Sequence, residues 1–116
     1  MLTVVETSVF ARRAEKLLSQ EEREELLWRL AMNPGAGDEI PGTGGVRKVR
    51  FAAGGKGKSG GVRLIYYFYD EENPLYAILL YGKNEQVNLT SDQKREVAAF
   101  ASAIKAAAKA RRKTQR

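Results

Sequence analysis

The chain has 116 residues, enough for one domain with a single modest core. It contains no cysteine and no histidine, which excludes disulfides, thiolate metal sites, thiol nucleophiles and the usual imidazole acid or base. Its net charge of +6 equals the six cations Arg47, Lys48, Arg50, Lys56, Lys58 and Arg63, all inside the acid-free window Pro41 to Tyr69; the rest of the chain balances.

Leu2 to Glu6 is a short β-branched run that predicts an edge strand. Met1 to Phe10 lacks the basic start and apolar stretch of a signal peptide, and no run of about 18 apolar residues predicts a membrane span. The expected location is the reducing cytoplasm. From Val9 the apolar positions Val9/Phe10, Ala14, Leu17 and Leu18 recur at helical spacing. Ser19-Gln-Glu-Glu22 reads as a capping box that opens a second helix. Leu26/Leu27, Leu30 and Ala31 form its buried stripe, and Asn33-Pro34-Gly35 stops it. The two helices together predict an α-hairpin.

Ala36 to Gly45 is a loop by composition. Three strands are predicted after it, over Val46 to Phe51, Val62 to Tyr69 and Leu75 to Tyr81. The Gly/Lys stretch Ala52 to Gly61 and the turn Asp70 to Pro74 join them, and such short connections favour an antiparallel meander. A second capping box, Thr90-Ser-Asp-Gln93, opens a last helix with Val97, Phe100, Ala101, Ile104 and Ala108 on one stripe. From Lys105 onward there are six cations and no acid, so residues 105–116 are expected to fray into a basic tail after a domain spanning 1–104. The order β-α-α-β-β-β-α predicts an α+β fold, with helices on one face of a small antiparallel sheet.

Strand parity places the cations. Val49 and Phe51 share one face, opposite Val46, Lys48 and Arg50. Val62, Leu64, Tyr66 and Phe68 oppose Arg63, Ile65, Tyr67 and Tyr69, and Tyr76, Ile78 and Leu80 oppose Ala77, Leu79, Tyr81 and Lys83. Packing the first set of each strand on the helices gathers Lys48, Arg50, Arg63, Tyr67, Tyr81 and Lys83 on one concave surface, with Lys56 and Lys58 overhanging it. Such a surface fits a polyanion, above all a phosphodiester backbone. The same residues also fit a plainer account. Strand-face cations keep sheet edges solvated, Tyr67 and Tyr81 suit a core, and the glycines suit a flexible hairpin. Gly54 to Ser59 has the look of a phosphate-loop ending but lacks its first-glycine spacing and following helix, so it does not predict nucleotide binding. Glu85 and Asp92 have no second carboxylate at metal-ligand spacing and read as structural or capping residues.

Three segments together resemble the RelE/HigB-like toxin family of bacterial type II toxin–antitoxin systems. They are Ile40-Pro-Gly-Thr-Gly-Gly-Val-Arg-Lys-Val-Arg-Phe, Gly-Lys-Gly-Lys-Ser-Gly-Gly-Val-Arg-Leu-Ile-Tyr-Tyr and Leu79-Leu-Tyr-Gly-Lys-Asn-Glu85. The resemblance implies a RelE-like fold and a ribosome-dependent mRNA endoribonuclease, in which the ribose 2′-hydroxyl attacks without metal or other cofactor. It also implies a cognate antitoxin, often of helix-turn-helix type, with the ribosome and messenger RNA as further partners and no membrane. The functional cations of the family fall on Lys48, Arg50 and Arg63. Some members carry an arginine where this chain has Asn84, and a tyrosine shortly after it; Tyr81 is the expected substitute here. Crowding by Arg50, Arg63 and Lys83 disfavours the charged form of Lys48, which makes Lys48 the candidate general base. Arg50 and Arg63 are expected to grip the phosphate. Tyr81 would orient a base or donate a proton, and Arg47, Lys56, Lys58, Lys83 and Asn84 would bind RNA. Two alternatives use the same scaffold: a ParE-like toxin that inhibits gyrase by protein contact, and a non-catalytic RNA-binding relative.

Overall fold

The structure, a computed structural model, describes residues 2–53 and 61–114. Its elements run β1 (Val4–Glu6), α1 (Ser8–Leu17), α2 (Gln20–Met32), β2 (Asp38–Glu39), β3 (Arg47–Phe51), β4 (Val62–Tyr67), β5 (Leu75–Gly82) and α3 (Ser91–Thr114). This is the expected α+β class with an N-terminal α-hairpin and a C-terminal helix. The sheet order is β1-β5-β4-β3-β2. The meander β3-β4-β5 is antiparallel, but β1 lies parallel to β5, so the sheet is mixed rather than wholly antiparallel. A β-branched run predicts a strand and carries no information about its direction. Two-residue β2 falls inside the segment expected to be loop, because it is too short to leave an alternating pattern.

Hydroxyl side chains start all three helices. Thr7 accepts from Phe10 N at 3.1 Å and donates to Ile78 O at 2.7 Å, which ties the start of α1 to β5. Ser19 and Glu22 complete the expected capping box on α2. Thr90 and Gln93 cap α3 reciprocally, at 3.1 and 3.0 Å.

The helices cover both faces of the sheet, not one. Phe10, Ala14, Leu18, Leu26 and Leu30 of the hairpin pack with Phe51, Val62, Leu64, Tyr66, Leu75, Ala77 and Leu80. On the other face Val97 and Ala101 of α3 pack with Val46, Ile65, Tyr67, Ile78 and Tyr81. β4 is apolar on both faces, except at Arg63, so a single layer of helices would leave Ile65 and Tyr67 in water.

Parity holds along β3 and β4 and fails along β5. Ile65 pairs with Leu79 but Tyr66 pairs with Ala77, so Ile78 is an extra residue at a β-bulge. Tyr76 and Ile78 therefore join Leu79 and Tyr81 on the α3 face, and Leu80 keeps the hairpin face. The expected grouping of Tyr76, Ile78 and Leu80 is corrected by that one residue. At the start of β4, Gly61 has φ +67°, and a Cβ there would lie 2.2 Å from Phe51 O. Only glycine closes the chain onto β3 at this point.

Residues 105–114 do not fray. α3 continues to Thr114, with Ala108 buried. Arg111 donates to Asn73 Oδ1 and Arg112 to Asp70 Oδ2, both at 2.7 Å, pinning the helix end to the β4–β5 turn. Burial alone would raise the Asp70 pKa, but hydrogen bonds from Asn73 and the Glu72 N–H, with the Arg112 charge, outweigh it and hold it below the ordinary value. A depressed carboxylate stabilises the fold above its unfolded pKa of about 4 and loses that contribution as pH falls through the lowered value. Hydrogen exchange of the last turns of α3 should therefore speed up on acidification below about pH 4, and Asp70→Asn should remove that dependence at a cost under about 1 kcal/mol. An unchanged pH profile in Asp70→Asn would contradict the pinning role.

Candidate functional site

The β3–β4–β5 register builds the site. Arg50 lies directly opposite Arg63, and Arg63 directly opposite Tyr81, so the three form one row across the sheet. Two residues along β3, Lys48 lies opposite Ile65 on the same α3-side face. Arg50 is exposed, and Lys48 and Arg63 are half-buried. These are three of the four cations that parity grouped; the fourth, Lys83, does not join them.

Tyr81 is 2% exposed, so it is a floor beneath the row and not an open stacking surface. Its hydroxyl lies 3.5 Å from Val87 O in the segment between β5 and α3. Burial pushes that hydroxyl above its ordinary pKa, and the Arg63 charge opposes the rise. Tyr67, expected on the same surface, is core under α3.

Side chains from two helices hold the segment over Tyr81. Glu85 accepts from Gly82 N at 2.7 Å and pairs with Arg13 of α1, which also donates to Leu80 O at 3.2 Å. The Gly82 N–H, with Arg13 and Lys16, holds the Glu85 carboxyl below its ordinary pKa, against its partial burial. Further on, Gln86 donates to Asn88 O at 2.9 Å and to Gln93 Oε1 at 2.8 Å. Glu85 and Asp92 thus take the structural parts expected of them, Asp92 by pairing with Arg95 of α3. Among the described residues no three carboxylates, His or Cys converge as metal ligands would.

Not every expected residue joins the row. Arg47 pairs with Tyr66 in the register and so starts on the hairpin face, where it donates to Gly37 O at 2.6 Å and approaches Glu39 at 3.6 Å. Lys83 and Asn84 lie exposed in the turn beyond β5, off the strand face. Lys56, Lys58 and the Gly54 to Ser59 run lie outside the described residues. Two residues that the sequence reading did not select stand beside Lys48. Lys48 Nζ donates to Asn88 Oδ1 at 3.4 Å, and Lys94 of α3 lines the same small pocket. Asn88 left no signal in the sequence. Lys94 left a faint one, a cation in the first turn of a helix where the dipole disfavours it.

Residues 3–114 match the family described as the RelE toxin of the RelE/RelB toxin–antitoxin system. The chain belongs to the RelE toxin family. Among solved structures it is similar to a free-state E. coli toxin RelE carrying two arginine-to-alanine substitutions. The TM-score is 0.53 at 20% identity, over 73% of this chain and 86% of that one. That likeness supports the shared α+β fold. A RelE-family toxin has an antitoxin as its partner. Among the described residues of this one, no helix is long and apolar enough to cross a membrane.

Proposed function

We propose that this RelE-family toxin is a ribosome-dependent endoribonuclease that cuts messenger RNA in the cytoplasm, as HigB-like and RelE-like toxins are expected to do. One observation carries the reading: Arg50 and Arg63 face each other across β3 and β4, one step from Lys48 on the same face. Two guanidinium groups on one strand face can fork onto the oxygens of a single phosphate.

In the proposed reaction the ribose 2′-oxygen attacks the adjacent phosphorus and the bond from phosphorus to the 5′-oxygen breaks. The products are a 2′,3′-cyclic phosphate and a 5′-hydroxyl end. Lys48 takes the 2′-hydroxyl proton, and the departing 5′-oxygen gains a proton from solvent. Arg50 and Arg63 hold the non-bridging oxygens by forked hydrogen bonds that strengthen as charge builds. Tyr81 supports Arg63 from below as a positioning residue. Lys83 and Asn84, on the exposed turn, meet RNA backbone. The ribosome supplies the alignment of the 2′-oxygen that a surface without histidine does not.

Mapping RNA ends from translating ribosomes incubated with the purified toxin tests the reading. New 5′-hydroxyl ends inside the messenger are expected. Intact messenger together with inhibited gyrase supercoiling would replace the nuclease with a protein-contact toxin.

A further inference from the structure

A pocket of about 220 Å³ opens beside the Arg50–Arg63 row, lined by Ile40, Pro41, Lys48, Asn88, Leu89 and Lys94. Its walls come from four parts of the chain: the loop before β3, β3 itself, the segment after β5 and the first turn of α3. Lys48 and Lys94 are both half-buried, and neither forms an ion pair among the described residues. Asp38 lies across from Lys48 in the β2–β3 pair yet makes no ion pair with it. Two lysines thus share a small, partly desolvated pocket whose lining holds no carboxylate. Such a lining suits an anionic ligand.

The remaining lining says what kind of anion. Ile40, Pro41 and Leu89 give apolar walls, which a free phosphate does not need. Asn88 Oδ1 already accepts from Lys48, and the amide NH₂ of Asn88 has no partner among the described residues. The Gln86 bond to Asn88 O holds the backbone from which that amide projects. The pocket thus combines apolar walls for a ring, an amide donor for a ring acceptor and the Lys94 cation for the attached phosphate. Unstacked bases of single-stranded RNA are read in this way, by apolar contact and edge hydrogen bonds.

We propose that this pocket is a nucleotide subsite for the RNA residue next to the scissile phosphate, with Asn88 reading the base edge and Lys94 holding its phosphate beside the general base Lys48. The inference rests on the ribonuclease reading and adds to it a source of sequence preference at one position. Lys94 and Asn88 are binding residues here, and neither takes part in bond breaking.

The test is an amide NMR titration of the purified toxin with a 2′-O-methyl trinucleotide, which cannot be cleaved by 2′-oxygen attack. The amides of Lys48, Asn88, Leu89 and Lys94 should shift together with one affinity. Asn88→Ala and Lys94→Gln, both surface changes, should each weaken that affinity roughly tenfold, while Lys105→Gln on the far part of α3 should leave it unchanged. Pyrophosphate should bind more weakly than the trinucleotide. Shifts absent from these amides, unaffected by Lys94→Gln, or matched by pyrophosphate would overturn the subsite. Trinucleotide binding in the pocket by a toxin that leaves ribosomal messenger intact would keep the subsite and remove the nuclease. Unperturbed pocket amides in a toxin that cuts messenger would do the reverse.

Discussion

Arg63→Ala is expected to lower messenger cleavage on translating ribosomes by about 10²- to 10³-fold, the usual cost of losing one donor to a developing oxyanion. The fold should survive. Arg63 is half-buried on β4 and belongs to neither core cluster, so the truncation costs chiefly the packing of its aliphatic stem. An unchanged denaturation midpoint together with lost cleavage would separate chemistry from stability. Arg63→Lys should recover only part of the rate, because an ammonium keeps the charge without the planar fork. Cleavage by Arg63→Ala at the wild-type rate would remove Arg63 from the mechanism, and with it the argument from the cationic row.

Much of this surface was legible because β3 and β4 form a regular antiparallel pair. With no bulge between them, counting by twos puts Lys48, Arg50 and Arg63 on one face, and the register agrees. The same count should have set Arg47 apart, since neighbours in a strand face opposite ways; membership in a charged window hid that. Along β5 the count fails at Ile78, because a bulge depends on how two strands twist together and leaves no mark in one of them. The end of α3 is hidden in the sequence for another reason. Its cations suggested solvation, yet its alanines are strong helix formers and Asp70 and Asn73 anchor the last turns. Both faces of β4 being apolar was visible in Leu64, Ile65, Tyr66 and Tyr67, and it called for helices on both sides. Asn88 and Lys94 reach Lys48 only through the tertiary fold, so spacing along the chain could not supply them.

The largest stability effect is expected from Phe10→Ala. Phe10 is fully enclosed, on the face of α1 that packs with Leu64, Tyr66, Ala77 and Leu80. Removing a buried ring loses its transfer free energy and leaves a cavity that a close-packed sheet face fills poorly, together about 3–5 kcal/mol. Total stabilities of such domains are about 5–15 kcal/mol, so the folded fraction itself comes under threat. Denaturant unfolding should show a lower midpoint with an unchanged slope, the sign of lost stability without a changed unfolded state. Val9→Ala, one residue away but 43% exposed, should stay within about 0.5 kcal/mol of wild type. The loss also reaches the candidate site. α1 carries Arg13, whose bonds to Leu80 O and Glu85 hold the segment over Tyr81. Loosened docking of α1 should therefore speed hydrogen exchange at residues 82–88 before the sheet centre exchanges. Equal midpoints for Phe10→Ala and wild type would mean that the hairpin does not anchor this core, and the coupling from α1 to the cationic row would fail with it.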